Sequence, residues 1–379
     1  MKIGIITQPL HTNYGGLLQN YALQQVLKRL GHEPITLDQV ASNRRRWKIY
    51  AGYIKTLIYY LIGKGNNRKF SYYINDKYLY YIQKNTDYFI KKYINKTPIL
   101  VTTKDFRRIT KDEKIEVLLV GSDQVWRPIY NDNIFDSFLD FSKGMDIKRI
   151  AYAASFGVDN WEFSRKKTDK CRDLIRLFEA ISVREKSGVN LCMDYLKCKA
   201  IHVLDPTLLL DKEDYIQLVD SEKEPESKGD LFTYILDKSE EKEEIIKKVS
   251  KTLGLIPFSS MPKNPVNRRT IKNIDTCVFP SVTRWIRSFM DANFVICDSF
   301  HGAVFSIIFN KPFLVIGNEE RGISRFNSLL ESFGLENRMI LSNSDNLSII
   351  NDSIDWSRVN DVRTLLKNRS IDFLRFYLK

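Results

Sequence analysis

The chain has 379 residues, enough for two domains of ordinary size, and its 43% apolar share fits a soluble globular protein. Fifty-nine basic against 46 acidic side chains leave a net charge of +13, which favours anionic partners: nucleic acid, phosphorylated metabolites or an acidic lipid surface. No apolar run reaches the ~18 residues that cross a bilayer, and five cysteines, odd in number and without CxxC spacing, suggest neither a disulfide framework nor a zinc site.

The start, MKIGIITQ, lacks the long apolar region of a signal peptide, so a cytoplasmic protein with reduced thiols is expected. KIGIIT (2–7) reads as a buried strand. In 15–31 the apolar residues Leu18, Ala22, Val26 and Leu30 share one helix face, and Gly31 is a C-terminal stop. PITLD (34–38) is the next strand. Residues 44–95, rich in Tyr, Lys and Ile at helical spacing, read as a helical insertion. Alternation returns with VLLVGSD (117–123), RIAYAASFG (149–157), a helix near 162–178, AISVRE (180–185) and AIHVLDP (200–206).

The charged stretch 220–230 reads as a linker. Beyond it, strands at 231–236, 256–260, 294–299, 312–317 and 338–342 alternate with helices, and an amphipathic helix closes the chain. The expected fold class is α/β, with parallel sheets flanked by helices in two units. Residues 1–219 form the first unit and 231–350 the second, with a terminal helix over 356–379 expected to pack back on the first. Sites in this architecture lie beyond the carboxyl ends of strands, where helix N-termini face a cleft.

Five such turns carry candidate chemistry. In TQPLHTNYGGLLQN (7–20), Asn13, Gly15 and Gly16 open a helix whose free N–H groups can hold an anion, or form a tight turn that only needs small residues. In LLVGSDQVWRP (118–128), Ser122, Asp123 and Gln124 arrive at a strand end. Ser122 or Asp123 caps the next helix, or Asp123 binds a sugar hydroxyl and receives its proton. Arg184, directly after a strand, offers a two-pronged fit to carboxylate or phosphate, or pairs with Glu185 on the surface. In FVICDSFHGAVFSIIFN (294–310), His301 sits at a helix N-terminus at a loop mouth, not in the core; a helix dipole there disfavours imidazolium. Arg321 and Arg325 follow the next strand and are expected to face the same cleft, unless they are simply solvated.

Taken together and in this order, NYGGLLQNYAL, GSDQVW, SVREKSG, LDPTLLL, DSFHGAVFSIIFNKPFLVIGN and RGISRF resemble the polysaccharide pyruvyl transferase family, over about residues 3–334. The resemblance implies two Rossmann-like domains in a glycosyltransferase-B-like arrangement with the site in the interdomain cleft. It implies transfer of the enolpyruvyl unit of phosphoenolpyruvate onto sugar hydroxyls, giving a pyruvate ketal on cell-surface polysaccharide or its precursor. His301 matches the family's catalytic histidine and Arg184 an arginine expected to bind the donor. Phosphoenolpyruvate is then a substrate rather than a cofactor, and since no metal-ligand constellation is visible in the sequence, no metal is expected. Many relatives carry arginine two residues before the histidine; here that place is Ser299, and Arg321 or Arg325 is expected to supply the charge.

The segment 43–69 has eight Lys or Arg and no acidic residue, with Trp47, Tyr50, Ile54, Leu57, Ile58 and Leu61 at helical spacing. It reads as an amphipathic helix on an anionic membrane, peripheral on the inner face, or as a helix packed on its own domain. The expected partners are phosphoenolpyruvate and a lipid-linked or nucleotide-linked sugar acceptor, and no nucleic acid. Two rivals remain: a glycosyltransferase of the same fold using a nucleotide-sugar donor, and a family member that binds glycans without catalysis.

Overall fold

The computed structural model describes residues 1–39, 76–131, 133–267, 270–317, 322–341 and 347–379. The basic aromatic segment 43–69 lies outside them. The first half alternates β1 (Lys2–Ile6), α1 (Tyr14–Arg29), β2 (Glu33–Thr36), α2 (Asp76–Tyr93), α3 (Thr103–Asp112), β3 (Val117–Val120), β4 (Lys148–Ala154), α4 (Arg165–Ile175), β5 (Ala180–Val183), α5 (Lys186–Leu191), β6 (Ile201–His202) and α6 (Lys212–Ser221). Its strands are apolar runs without alternation, as strands covered on both faces require, and they pair in parallel in the order β2-β1-β3-β4-β5-β6. α3 begins at a capping box that sequence reading passed over: Thr102 caps Asp105, and the Asp105 carboxylate accepts from the Thr102 backbone N–H.

The second half runs β7 (Leu231–Tyr234), α7 (Glu240–Leu253), β8 (Pro257–Phe258), α8 (Val282–Asp291), β9 (Phe294–Cys297), α9 (Phe300–Ile308), β10 (Phe313–Ile316), α10 (Ser324–Phe333) and β11 (Met339–Ile340). These strands are parallel in the order β11-β10-β9-β7-β8. α11 (Trp356–Tyr377) returns to the first half, where Ser370 Oγ accepts from Leu204 N at 3.0 Å and the Tyr377 carbonyl accepts from Lys148 Nζ at 3.1 Å. The charged stretch around 222–227 is docked rather than loose. Glu224 accepts from Thr283 Oγ1 at 2.7 Å, and Ser227 N donates to Asp291 at 2.7 Å.

The strand order places the site. In the first sheet the strand order reverses between β1 and β3, and in the second between β7 and β9. Helices leave opposite faces at such a point, so a crevice opens at the carboxyl ends of these strands. The two crevices face each other because α1 is keyed into the second half. Tyr14 stacks on Trp285 of α8 at 5.7 Å between centroids, and its hydroxyl donates to the Pro280 carbonyl at 2.9 Å. Both rings are fully buried in one apolar core that runs through both halves. The five cysteines are free thiols, and no helix among the described residues is long and apolar enough to cross a membrane.

Candidate active site

A cavity of about 550 Å³ lies between the two switch points. The turn after β1 contributes Asn13, the turn after β3 contributes Asp123 and Gln124, the turn after β9 contributes Asp298, Ser299 and His301, and α10 contributes Arg325. Apolar walls come from Tyr14, Tyr234, Met261 and Phe279. The N-termini of α1 and α9 both open here, so two sets of helix N-terminal dipoles add to the Arg325 charge.

His301 is the second residue of α9 and is only 6% exposed. The loop mouth expected from sequence is therefore a floor: the ring lines the cavity but is packed on most sides. Its place depends on Gly15. A Cβ on Gly15 would lie 2.0 Å from His301 Nδ1 and 2.8 Å from His301 Cβ. Gly15 and Gly16 do not line the cavity, which corrects their reading as a backbone cradle for ligand. Gly15 is small because an imidazole from the other half rests on it. The Gly16 N–H is taken by the Asn13 side chain at 3.1 Å.

Behind the ring lies a buried charged cluster. His301 Nε2 faces Asp205 Oδ2 at 3.6 Å. The same oxygen accepts from Arg184 Nη1 and from Ser122 Oγ, both at 2.9 Å. Asp205 Oδ1 accepts from the Thr207 N–H at 3.0 Å and the Thr207 hydroxyl at 2.7 Å. Burial by itself raises this carboxyl's pKa, but the facing His301, Arg184 and the Thr207 bonds outweigh it and hold it far below the usual carboxylate range. Burial likewise opposes charge on Arg184, and Asp205, Asp123 and Glu185 reverse that, raising its pKa.

Arg184 is thus not on the cavity wall. Its side chain is 1% exposed, lies 3.5 Å from Asp123 Oδ1, and stacks on the Phe300 ring at 4.4 Å. The surface pair with Glu185 is not formed either. Glu185 is fully buried and accepts from Ser155 Oγ, Phe156 N and Gly157 N, bracing the turn after β4. Ser122 is also off the cavity and serves Asp205. Neither Ser122 nor Asp123 caps a following α-helix. Asp123 adopts φ +73°, its Oδ1 accepting from Gln124 N at 2.9 Å and its Oδ2 from Asn13 Nδ2 at 3.3 Å.

Arg325 lines the cavity and is 8% exposed. Burial first, then the neighbouring Arg184, lowers its pKa to about 10. Arg321 lies outside the described residues. Ser299 is the N-cap residue of α9 and makes no side-chain capping bond. Arg325 thus brings a cation to this cavity from α10, and Ser299 lies on the same wall. Two residues were missed in the sequence. Asp205 stands in LDPTLLL, where a strand runs into Asp-Pro, a signal for a carboxylate capping the next turn. Asp298 binds the Leu236 and Asp237 N–H groups and Lys242 Nζ, the last at 2.6 Å, tying the turn after β7 to the start of α9.

A family model described as polysaccharide pyruvyl transferase matches residues 13–320, which span Asn13, Asp123, Asp205 and His301. The chain belongs to the polysaccharide pyruvyl transferase family. It is accordingly a transferase of the kind that serves polysaccharide biosynthesis. No curated protein matches it. Among solved structures it is similar to MnaA from S. aureus in a co-structure with UDP, with 13% identity, a TM-score of 0.51, and 100% of this chain and 96% of that chain covered. It is also similar to a Listeria monocytogenes protein assigned as a UDP-N-acetylglucosamine 2-epimerase, with 10% identity, a TM-score of 0.52, and 97% and 90% covered. A ugt transferase from Siraitia grosvenorii in complex with UDP aligns at 10% identity and a TM-score of 0.47, with both chains covered in full. At such identities the likeness to the first two concerns the fold alone: two facing α/β units with a cleft between them.

Proposed function

We propose that this protein moves the enolpyruvyl unit of phosphoenolpyruvate onto hydroxyls of a sugar, closing a pyruvate ketal during cell-surface polysaccharide synthesis. The observation that carries the reading is that His301 and Arg325 line one cavity into which the N-termini of α1 and α9 open. A donor bearing a carboxylate and a phosphate needs several positive groups that converge, and this cavity supplies Arg325 and two helix ends.

The chemistry balances as follows. The methylene carbon of phosphoenolpyruvate takes a proton and becomes a methyl group, leaving a cation-like centre at C2. A sugar hydroxyl adds there and gives up its proton. Phosphate departs, and a second hydroxyl of the same sugar adds to C2, its proton leaving with the phosphate. Products are a ketal and inorganic phosphate, with no oxidant or reductant needed. His301 is the group that exchanges these protons. Because Nε2 is turned to Asp205, we assign the proton transfer to Nδ1. Asp123 and Asn13, at the same cavity, hold the acceptor hydroxyls.

The test incubates the protein with phosphoenolpyruvate and a panel of lipid-linked and nucleotide-linked sugars. Release of phosphate, with a product heavier by one pyruvate less water, is the expected result. Release of a nucleoside diphosphate from a nucleotide sugar, with phosphoenolpyruvate untouched, overturns the reading in favour of glycosyl transfer.

A further inference from the structure

We propose that Asp205 is the positioning residue for His301, a carboxylate fixed in the first half of the molecule that sets the orientation and charge of an imidazole delivered by the second. The inference rests on the reading of His301 as the proton-transfer group and goes beyond it.

Nε2 of His301 is buried and makes no hydrogen bond to another group among the described residues, and the carboxylate it faces is Asp205, at 3.6 Å. Asp205 cannot swing away. Its side chain is fully buried, and each oxygen is held by two donors, Thr207 N and Oγ1 on one side, Ser122 Oγ and Arg184 Nη1 on the other. A buried carboxylate anchored in this way stays ionised and presents a fixed negative charge to one ring nitrogen. At that distance the carboxylate acts through its charge: it favours the tautomer with N–H toward it and stabilises the imidazolium that forms when the other nitrogen takes a proton.

The charges around the ring come from several elements. Asp205 follows β6, Arg184 follows β5, Asp123 follows β3, Arg325 stands on α10, and Asp298 precedes α9 but is turned to Lys242. From α1 the ring meets Gly15. Asp205 is the one of these whose oxygen faces a ring nitrogen within 4 Å. Arg184 then has a role other than donor binding. Its guanidinium offsets the Asp205 charge, and its face supports Phe300, whose ring meets His301 edge-on at 5.3 Å.

The test uses the full chain with phosphoenolpyruvate and an active acceptor. Asp205→Asn keeps the shape and removes the charge. The expected result is a kcat lower by about 10²–10⁴-fold, a KM for phosphoenolpyruvate changed by less than about threefold, and a pH–rate profile displaced to lower pH. The double variant Asp205→Asn/His301→Asn should be no slower than His301→Asn alone, because a residue acting only through the ring loses its effect with the ring. Losses that multiply in the double variant, or an Asp205→Asn protein with unchanged kcat and pH profile, overturn the proposal. If Asp205→Asn does not fold, Ser122→Ala, which removes one donor from Oδ2, is the substitute; an unmoved pH profile there also overturns it. A fully active His301→Asn protein defeats the underlying reading instead, so the two failures are told apart.

Discussion

Replacing Gly15 with alanine adds one methyl group at the contact on which the site is built. The new Cβ would lie 2.0 Å from His301 Nδ1, 2.3 Å from Cγ and 2.8 Å from Cβ. Carbon contacts are comfortable at about 3.5–4.0 Å, so the ring must retreat by roughly 1.5 Å. Rotating the imidazole cannot relieve the clash with His301 Cβ, which is fixed to the α9 backbone, so α1 and α9 must also part slightly. A displacement of about 1 Å at a reacting group costs about 100-fold in rate, and kcat should fall by that much or more. Stability should respond differently. Gly15 lies inside α1, where alanine favours the helix by about 1 kcal/mol, against about 1–3 kcal/mol for overpacking. The expected net change is therefore between about zero and 2 kcal/mol of destabilisation. The assay pairs steady-state kinetics with urea unfolding. A Gly15→Ala protein with wild-type kcat would refute the claim that this close approach sets the position of the catalytic ring.

His301→Asn should still fold, with an unfolding midpoint lowered because the ring is buried and faces Asp205, and should lower kcat by about 10²–10⁴-fold, the usual worth of a positioned proton-transfer group; retained turnover removes the ring from the mechanism. Arg325→Ala should weaken phosphoenolpyruvate binding by about 10–100-fold, as expected for losing a charged hydrogen-bond donor of about 1.5–3 kcal/mol, measured by calorimetry. Because burial lowers the Arg325 pKa to about 10, its charge is present at neutral pH and lost as pH rises through that value. Donor affinity should therefore fall above about pH 10 in the wild type and show no such step in the variant. Inorganic phosphate or phosphoenolpyruvate should raise the melting temperature of the wild type more than that of Arg325→Ala, since an anion that binds the folded protein more tightly stabilises it more. Lys242→Met leaves Asp298, whose side chain is 1% exposed, facing two N–H groups without its cation. A loss of about 3 kcal/mol in urea unfolding is expected; a change under about 1 kcal/mol would show that the backbone donors suffice.

Much of the architecture could be read directly from local patterns. Apolar runs without alternation announce strands covered on both faces, and the helix-strand rhythm announces parallel sheets, because both signals reside within a few consecutive residues. Placing His301 at a strand-to-helix turn needed nothing more. Gly15 was read as room for a ligand, whereas it makes room for His301; a glycine reports that space is needed but not who occupies it. Asp205 went unread as a site residue for a similar reason. Its local role, capping the turn at Thr207, is visible in Asp-Pro-Thr, but its other partners come from β3, β5 and α9.

The amino-acid order alone therefore determined most of the elements, their parallel pairing and the strand ends at which chemistry would gather. Only the docking of the two halves decided which polar groups meet. It set His301 of one half on Gly15 and against Asp205 of the other, and it committed Arg184 to the buried cluster around Asp205. The physical reason is range: hydrophobic periodicity and backbone hydrogen bonding act between neighbours in the chain, whereas burial and charge pairing act between whichever groups the packed helices bring within a few ångströms.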